Sequence, residues 1–131
     1  MAEGQTFRKV VLGMDDRNQS VFRDEEIPLT EAGRIGFLSA QLPAEMIQFR
    51  MSPAGFTAPW HCTGKAQWVI IVSGRMKITL RDGTFRVFSA GESFYSADVL
   101  PPGVEFDDEK HHGHTTEALG DEPLRTIFVR A

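Results

Sequence analysis

Apolar and polar residues alternate along the second half of the chain in a way that predicts β-strands. In residues 76–80, three apolar side chains alternate with polar ones, so one face of this segment is expected in a core and the other against polar surroundings. The pair Asp82-Gly83 interrupts the pattern, and apolar residues resume in 85–88. An Asp-Gly pair between two such runs indicates a β-hairpin with a type I′ turn.

Other short segments have the same strand-like composition. They are 46–51, 67–72, 93–95 and 124–129, with weaker candidates at 10–12, 21–22 and 35–38. Helix signals are weak, because glycine and proline recur and no long segment repeats apolar residues at spacings of three and four. Many short strands separated by turn residues are typical of an antiparallel sandwich or barrel. We therefore predict an all-β fold.

Length and composition restrict the classes of protein to which this chain can belong. Its 131 residues suffice for one hydrophobic core, so we expect a single domain. A net charge of −4 at pH 7 argues against nucleic-acid binding, which needs an excess of lysine and arginine. The longest apolar run, 68–72, is far shorter than the ~20 residues of a membrane-spanning helix, and 10–12 is too short for the core of a signal peptide. The single cysteine fits a reducing compartment. We expect a cytoplasmic protein with no nucleic-acid or membrane partner.

Five residues follow the spacing of the first metal-binding motif of the cupin family, G-x5-H-x-H-x3-E-x6-G. Gly55, His61, Thr63, Gln67 and Gly74 occupy its fixed positions without a gap. Thr63 replaces the second histidine of the motif and Gln67 replaces its glutamate. The chain therefore resembles cupins in the frame of the motif and differs from them in half of its ligands.

The second cupin motif, G-x5-P-x-G-x2-H-x3-N, is present in a stretched form. Gly91 begins it, Pro101 and Gly103 supply its middle, and His114 follows after an acidic loop. Ala118 stands where the motif has asparagine. The segment after it is similar to the one that closes many small cupins, and this similarity aligns His114 with the family ligand.

This resemblance implies a fold and an assembly. It implies one cupin domain over residues 1–131, an antiparallel jelly-roll β-barrel with N-terminal strands in about 1–45 and the cupin core in about 46–131. It also implies a homodimer paired through the N-terminal strands, because small cupins are commonly dimeric, and a small-molecule ligand inside the barrel.

The same resemblance implies a metal site at His61, Gln67 and His114. The metal would be one divalent transition ion, either Fe, Mn, Ni or Zn. Such ions prefer imidazole nitrogens together with an anionic oxygen, and these three residues supply two imidazoles and a neutral amide oxygen. A metal-free pocket is therefore the alternative to an occupied site.

Two further hypotheses concern the histidines. His112 and His114 are two residues apart, so an extended backbone would point both rings inward, and His61, His112 and His114 would form a three-histidine site with Gln67 peripheral. Without a metal, His61 or His114 would carry protons, because imidazole titrates near neutral pH. Glu105 or Asp107 would orient such a histidine if the acidic loop folds inward.

Other residues have weaker signals. Arg50 and Thr63 are candidates for substrate binding. An Arg50 side chain that points inward would bind a carboxylate, whereas one that points outward would be solvated. Thr63 is a candidate because it shares a strand face with His61. Strand alternation sends Cys62 to the opposite face, where it would be a small buried hydrophobe. Residues 98–113 form either a solvated surface loop or a lid.

Two classes of function remain open at this point. The chain is either a metal-dependent dioxygenase, isomerase or lyase acting on a small organic acid or carbonyl compound, or a non-catalytic ligand-binding or sensing barrel without metal. Catalytic residues are unknown in either case, because the same few ligands would serve every reaction.

Overall fold

The computed structural model describes residues 5–131, which form eleven strands and two single-turn 3₁₀ helices. The strands are β1 Gln5–Met14, β2 Ser20–Glu31, β3 Phe37–Leu38, β4 Met46–Ser52, β5 Thr57–His61, β6 Gln67–Ser73, β7 Arg75–Thr79, β8 Phe85–Ser89, β9 Ser93–Ser96, β10 His114–Leu119 and β11 Leu124–Arg130. The 3₁₀ helices span Gly33–Ile35 and Asp108–Lys110. Residues 1–4 of the region predicted to hold the N-terminal strands lie outside the described residues. The all-β prediction is confirmed.

The strands form two sheets that face each other in a jelly roll. The larger sheet has seven strands in the order β3-β2-β1-β9-β6-β11-β4, and the smaller has four in the order β5-β10-β7-β8. All pairs are antiparallel except β1 with β9. The sheets are not closed into a continuous hydrogen-bonded barrel, so the architecture is an open form of the predicted one. No helix within residues 5–131 has the length and apolar character needed to span a membrane.

The hydrophobic core lies between the two sheets. Apolar side chains at alternating positions point inward from both, and Phe88 of β8 meets Phe94 of β9 with ring centroids 4.5 Å apart. Its buried members include Leu12, Val69, Ile71, Phe94, Met76, Ile78, Leu80 and Leu124. Burial of this face explains why the alternation in 67–72 and 76–80 predicted strands correctly.

The hairpin between β7 and β8 is confirmed, but its turn differs from the predicted type I′. Of the two turn residues, only Gly83 has a positive φ, at 88°. The Leu80 backbone N–H donates to the Thr84 carbonyl at 2.8 Å, and Asp82 accepts a hydrogen bond from the Thr84 N–H at 2.9 Å. The connection is therefore longer than two residues and needs glycine at one position only.

Strand β4 presents its two faces opposite to the usual arrangement. It lies at the edge of the larger sheet, and its apolar residues Ile47, Phe49 and Met51 are 59%, 74% and 65% exposed. Its polar residues point toward the other sheet, because Arg50 is paired with the buried Thr126 of β11. The interior is polar at this end of the molecule, and that is where the candidate site lies.

Strands β5 and β10 were not predicted as strands. β5 contains Pro59, which a β-ladder tolerates here because β5 is an edge strand. β10 alternates buried and half-buried residues regularly, but its buried positions include His114 and Thr116, so the sequence shows no apolar alternation. Polar residues facing the interior of a sheet indicate a functional cavity more often than a core.

An exposed ion-pair cluster connects the two sheets at Asp24. Its carboxylate accepts hydrogen bonds from Arg86 at 2.7 and 3.0 Å and from Arg8 at 2.9 Å. These bonds, Arg86 first and then Arg8, hold the pKa of Asp24 well below its usual range. A carboxyl group whose pKa is lowered by folding stabilises the protein above its unfolded pKa, about 3.9, and this contribution is lost as the pH falls further.

We therefore expect the difference in unfolding free energy between the wild type and Asp24→Asn to be present at neutral pH and to shrink between about pH 4 and about pH 2. Urea denaturation at several pH values measures it. Glu25→Gln is the matched control, because Glu25 lies 4.0 Å from Lys9 and 3.9 Å from Arg23, at the limit of an ion pair. An Asp24→Asn effect that is independent of pH would contradict the prediction.

Candidate functional site

A cavity of about 260 Å³ lies between the sheets. Its polar lining includes His61 at the end of β5, His114 at the start of β10, Gln67 at the start of β6 and Arg50 on β4. Its apolar wall includes Phe56, Val69, Met76, Ile78, Phe94 and Phe128. The structure thus brings together these four residues, all singled out in the sequence, and the size of the cavity suits a small ligand.

His61 and His114 face each other across the β5–β10 ladder. They are register partners, and their ring centroids are 4.4 Å apart with an interplanar angle of 55°. Gly113 allows this approach, because its φ is 87° and a Cβ there would overlap the backbone carbonyl of His61. Only glycine adopts this backbone conformation readily and leaves the necessary space.

Hydrogen bonds to Nδ1 orient both imidazole rings. The Nδ1 of His61 lies 2.6 Å from the Pro59 carbonyl oxygen, which can only accept, so this nitrogen carries the proton. The Nδ1 of His114 lies 2.6 Å from Oδ2 of Asp98, to which it donates when the carboxylate is ionised. Within residues 5–131, no hydrogen bond reaches Nε2 of either ring. Each ring therefore has a free Nε2 lone pair, the form in which histidine binds a metal or accepts a proton.

Gln67 adds a third unpaired acceptor to this cavity. Its Oε1 is buried and has no hydrogen-bond partner among the described residues, which is costly unless a ligand or ion completes it. Two imidazole nitrogens and an amide oxygen fit a divalent transition metal in type, although no group of three His, Cys, Asp or Glu side chains within residues 5–131 is arranged to hold one. The donor set therefore fits a metal but provides no negative charge.

A negative charge lies directly behind this donor set. Asp98 is 0% exposed, and besides His114 it accepts hydrogen bonds from Ser20 Oγ at 2.7 Å and from Thr63 Oγ1 at 2.6 Å. The Thr63 backbone N–H donates to it as well, at 3.2 Å. Thr63 thus lines the cavity, but its hydroxyl donates to the buried carboxylate. The same hydroxyl lies 2.6 Å from Ser96 Oγ.

His112 does not join the other two histidines at this cavity. The expected extended backbone is interrupted, because His111 and Gly113 both have positive φ, 58° and 87°. The ring of His112 is buried elsewhere, with Nδ1 accepting a hydrogen bond from the Asp107 backbone N–H at 3.1 Å. The three-histidine arrangement therefore has no counterpart in the described geometry.

Arg50 lines the cavity from the inner face of β4. Its guanidinium lies 3.7 Å from the centroid of the Phe128 ring, and its Nε donates to Oε1 of Gln48 at 2.6 Å. Burial, together with the positive charge of Arg130, lowers the pKa of Arg50, although a guanidinium stays protonated at neutral pH. No carboxylate within residues 5–131 forms an ion pair with Arg50. This charge is available to an anionic ligand.

Cys62 lies differently from the prediction. Strand β5 ends at His61, so the alternation stops there and Cys62 also lines the cavity. Burial, and then the charge of Asp98, raise the pKa of its thiol to about 11, while Arg81 acts in the opposite direction. The thiolate population at neutral pH is therefore negligible, which makes Cys62 a poor nucleophile.

Neither Glu105 nor Asp107 of the acidic loop orients a histidine at the cavity. Glu105 is exposed, and Asp107 accepts a hydrogen bond from the Glu109 N–H at 3.0 Å as the cap of a 3₁₀ helix. The guanidinium of Arg81 holds the end of the loop in place: its Nη2 donates to Oδ1 of Asp108 at 2.6 Å and to the His112 carbonyl oxygen at 2.8 Å. The carboxylate next to His114 is that of Asp98, the first residue of the segment 98–113. In the sequence, only the apolar neighbours of Asp98 indicated that it is buried.

Comparison with known proteins finds similar solved structures only. No protein-family model and no curated protein matches the chain. A Cupin 2 conserved barrel domain protein from Salinispora arenicola is 24% identical over 63% of this chain and 59% of its own, with a TM-score of 0.43. The chain thus matches less than two thirds of that protein's length.

Two other solved structures are similar over nearly the whole chain. The cupin domain of Cnp3 from Schizosaccharomyces pombe is 13% identical over 96% of this chain and 83% of its own, with a TM-score of 0.48. A cupin domain from Bordetella pertussis is 14% identical over 99% of this chain and 96% of its own, with a TM-score of 0.42.

The family resemblance in the sequence and the observed architecture point to the same fold. The motif frame from Gly55 to Gly74 covers strands β5 and β6 and the turn into β7, and its histidine lies at the cavity between two facing sheets. His114, aligned through the second motif, meets that histidine across the β5–β10 ladder. The chain therefore has the jelly-roll fold of a cupin-type domain.

Proposed function

We propose that the protein binds a small organic acid or carbonyl compound in the cavity between its sheets, next to one divalent transition metal held by His61, Gln67 and His114. One observation supports this most strongly. Two oriented imidazoles with free Nε2 atoms and a buried, unpaired amide oxygen line the same small cavity. Such a cluster of acceptors suits a cation better than it suits an apolar ligand.

The neutral ligand set favours an anionic substrate. A bound metal would act as a Lewis acid on an oxygen of the ligand. The three side chains contribute no negative charge of their own, and within residues 5–131 Arg50 lines the same cavity without a carboxylate partner. A small carboxylate is therefore the ligand class that would neutralise both charges, with the guanidinium binding it in a bidentate manner. Phe56 and Phe128 would cover its apolar part.

His61→Ala and His114→Ala are expected to remove bound metal while the protein stays folded. Elemental mass spectrometry on untagged protein purified without chelator measures metal content, and circular dichroism checks the fold. His111→Ala is the matched control, because His111 is exposed in the acidic loop and away from this cavity. Wild-type metal content in both cavity variants would overturn the assignment of ligands.

A binding barrel without metal is the second candidate. It is favoured by the absence, within residues 5–131, of three grouped His, Cys, Asp or Glu side chains that could hold an ion. In that case a small carboxylate should raise the melting temperature equally before and after EDTA treatment. Loss of this stabilisation after EDTA treatment would favour the metal-dependent function, whether as dioxygenase, isomerase or lyase.

The homodimer and the cytoplasmic location are part of the same proposal. They derive from the resemblance and from the composition of the chain. The N-terminal strands offered for pairing correspond to β1, β2 and β3, which occupy one edge of the larger sheet.

A further inference from the structure

A buried network centred on Asp98 has no counterpart in the motifs of the sequence. The carboxylate belongs to none of the strands and follows β9 by two residues. It is completely buried and accepts hydrogen bonds from three other parts of the chain, through Ser20, Thr63 and His114. Burying a carboxylate costs several kcal/mol unless it is fully hydrogen-bonded, so four donors around one side chain indicate a specific role.

Each carboxylate oxygen of Asp98 has its own pair of hydrogen-bond partners. Oδ1 receives the backbone N–H and the hydroxyl of Thr63, at 3.2 and 2.6 Å. Oδ2 receives Ser20 Oγ at 2.7 Å and His114 Nδ1 at 2.6 Å. The Thr63 backbone amide can only donate, so Oδ1 must remain an acceptor. With Asp98 ionised, Oδ2 can only accept as well, and its hydrogen bond with His114 then requires the proton of His114 on Nδ1.

We propose that Asp98 is the positioning residue of this site: it holds the proton of His114 on Nδ1 and so keeps the Nε2 lone pair free for what binds in the cavity. Thr63, at the position of the second motif histidine, orients this carboxylate instead of contacting substrate. Asp98 also supplies, one shell away, the negative charge that the three neutral ligands lack. Carboxylates behind metal-bound histidines typically change metal affinity by about 10–100-fold.

The positioning role of Asp98 rests on the proposed function only for the identity of the group that binds Nε2 of His114. The position of the proton itself is a property of the protein without metal. The two are therefore tested separately, in chelator-treated and in metal-loaded protein.

Imidazole ¹⁵N chemical shifts of the chelator-treated wild type, near neutral pH, report which nitrogen carries the proton. We expect Nδ1–H for His114 and for His61. His112 is an internal reference, because its Nδ1 accepts from the Asp107 N–H and its proton must lie on Nε2. Finding His114 in the same form as His112 would overturn the proposal without any variant.

Asp98→Asn tests the causal role. The Thr63 amide keeps the asparagine oxygen on its own side, which turns the NH₂ group toward His114 and should move its proton to Nε2. We expect a changed tautomer of His114, an unchanged His61, and zinc affinity lowered by about 10–100-fold. Asp107→Asn is the matched control, since that carboxylate caps a 3₁₀ helix and should leave His114 unchanged.

The outcomes separate this inference from the proposed function. If wild-type protein binds no metal but shows Nδ1–H on His114, with the proton moved in Asp98→Asn, the positioning role stands and the metal site fails. If metal binds and the tautomer is the same in wild type and Asp98→Asn, the ligand set stands and the positioning role is wrong. If Asp98→Asn fails to fold, the wild-type tautomer and the variant Thr63→Val still test the positioning role of Asp98. Thr63→Val removes one donor to Oδ1 but keeps the backbone amide, so His114 should retain its proton on Nδ1. Loss of that tautomer would overturn the positioning role.

Discussion

Replacing Gly113 by alanine is expected to lower the free energy of unfolding by about 2–5 kcal/mol. Two costs combine in this variant. The backbone at Gly113 has a φ of 87°, which L-residues adopt only with strain, and the added Cβ would overlap the backbone of His61. Backbone cannot move aside as a flexible side chain can, so strands β5 and β10 would have to separate.

Gly83→Ala is the matched control for this substitution. Its φ is 88°, almost the same, but nothing lies within 4 Å of a Cβ added there. It should therefore cost only the conformational term of about 1–2 kcal/mol. Urea denaturation of both variants measures the difference. Equal destabilisation would mean that the contact between Gly113 and His61 does not constrain the site.

Asp98→Ala is expected to cost about 3–5 kcal/mol of stability. The substitution removes the carboxylate that four donors share and leaves the buried His114 Nδ1 without its partner, whereas the Thr63 amide keeps the backbone carbonyl of residue 98 at 3.3 Å. Unpaired buried donors lose the hydrogen bonds that water would make to them in the unfolded chain.

Ser20→Ala provides the comparison for Asp98→Ala. It removes one donor and leaves the carboxylate with the other three, so about 1 kcal/mol is expected. Chemical denaturation of both variants, together with the double variant, measures how far the two side chains depend on each other. A cost below that of Ser20→Ala would contradict the central position of Asp98 in the network.

Some strands could be predicted from the sequence and others could not. The β7–β8 hairpin was predicted because its apolar residues alternate and the Asp-Gly pair marks a turn, which are both local properties of the chain. β5 and β10 were missed because their inner faces carry the site. His114 and Thr116 are buried on β10, yet neither is apolar.

Strand β4 shows why alternation gives a strand but not its orientation. Its pattern correctly separated Gln48 and Arg50 from Ile47 and Phe49. In an ordinary sheet the apolar set would face the core, but here the polar set faces the cavity and the apolar set faces solvent. Orientation depends on what the opposite sheet presents, and the sequence of one strand contains no information on that.

Most strands, the hairpin and the motif frame could be read from spacing and alternation along the chain, and the family resemblance then aligned His61, Gln67 and His114 with the motif ligands. The contacts of Asp98 with Thr63 and His114, and the position of His112 outside the cavity lining, are apparent only in the folded structure. These facts depend on hydrogen bonds between residues as far apart as Ser20 and Asp98, and on the positive φ of Gly113. Such contacts form only when the two sheets pack, so no local pattern predicts them.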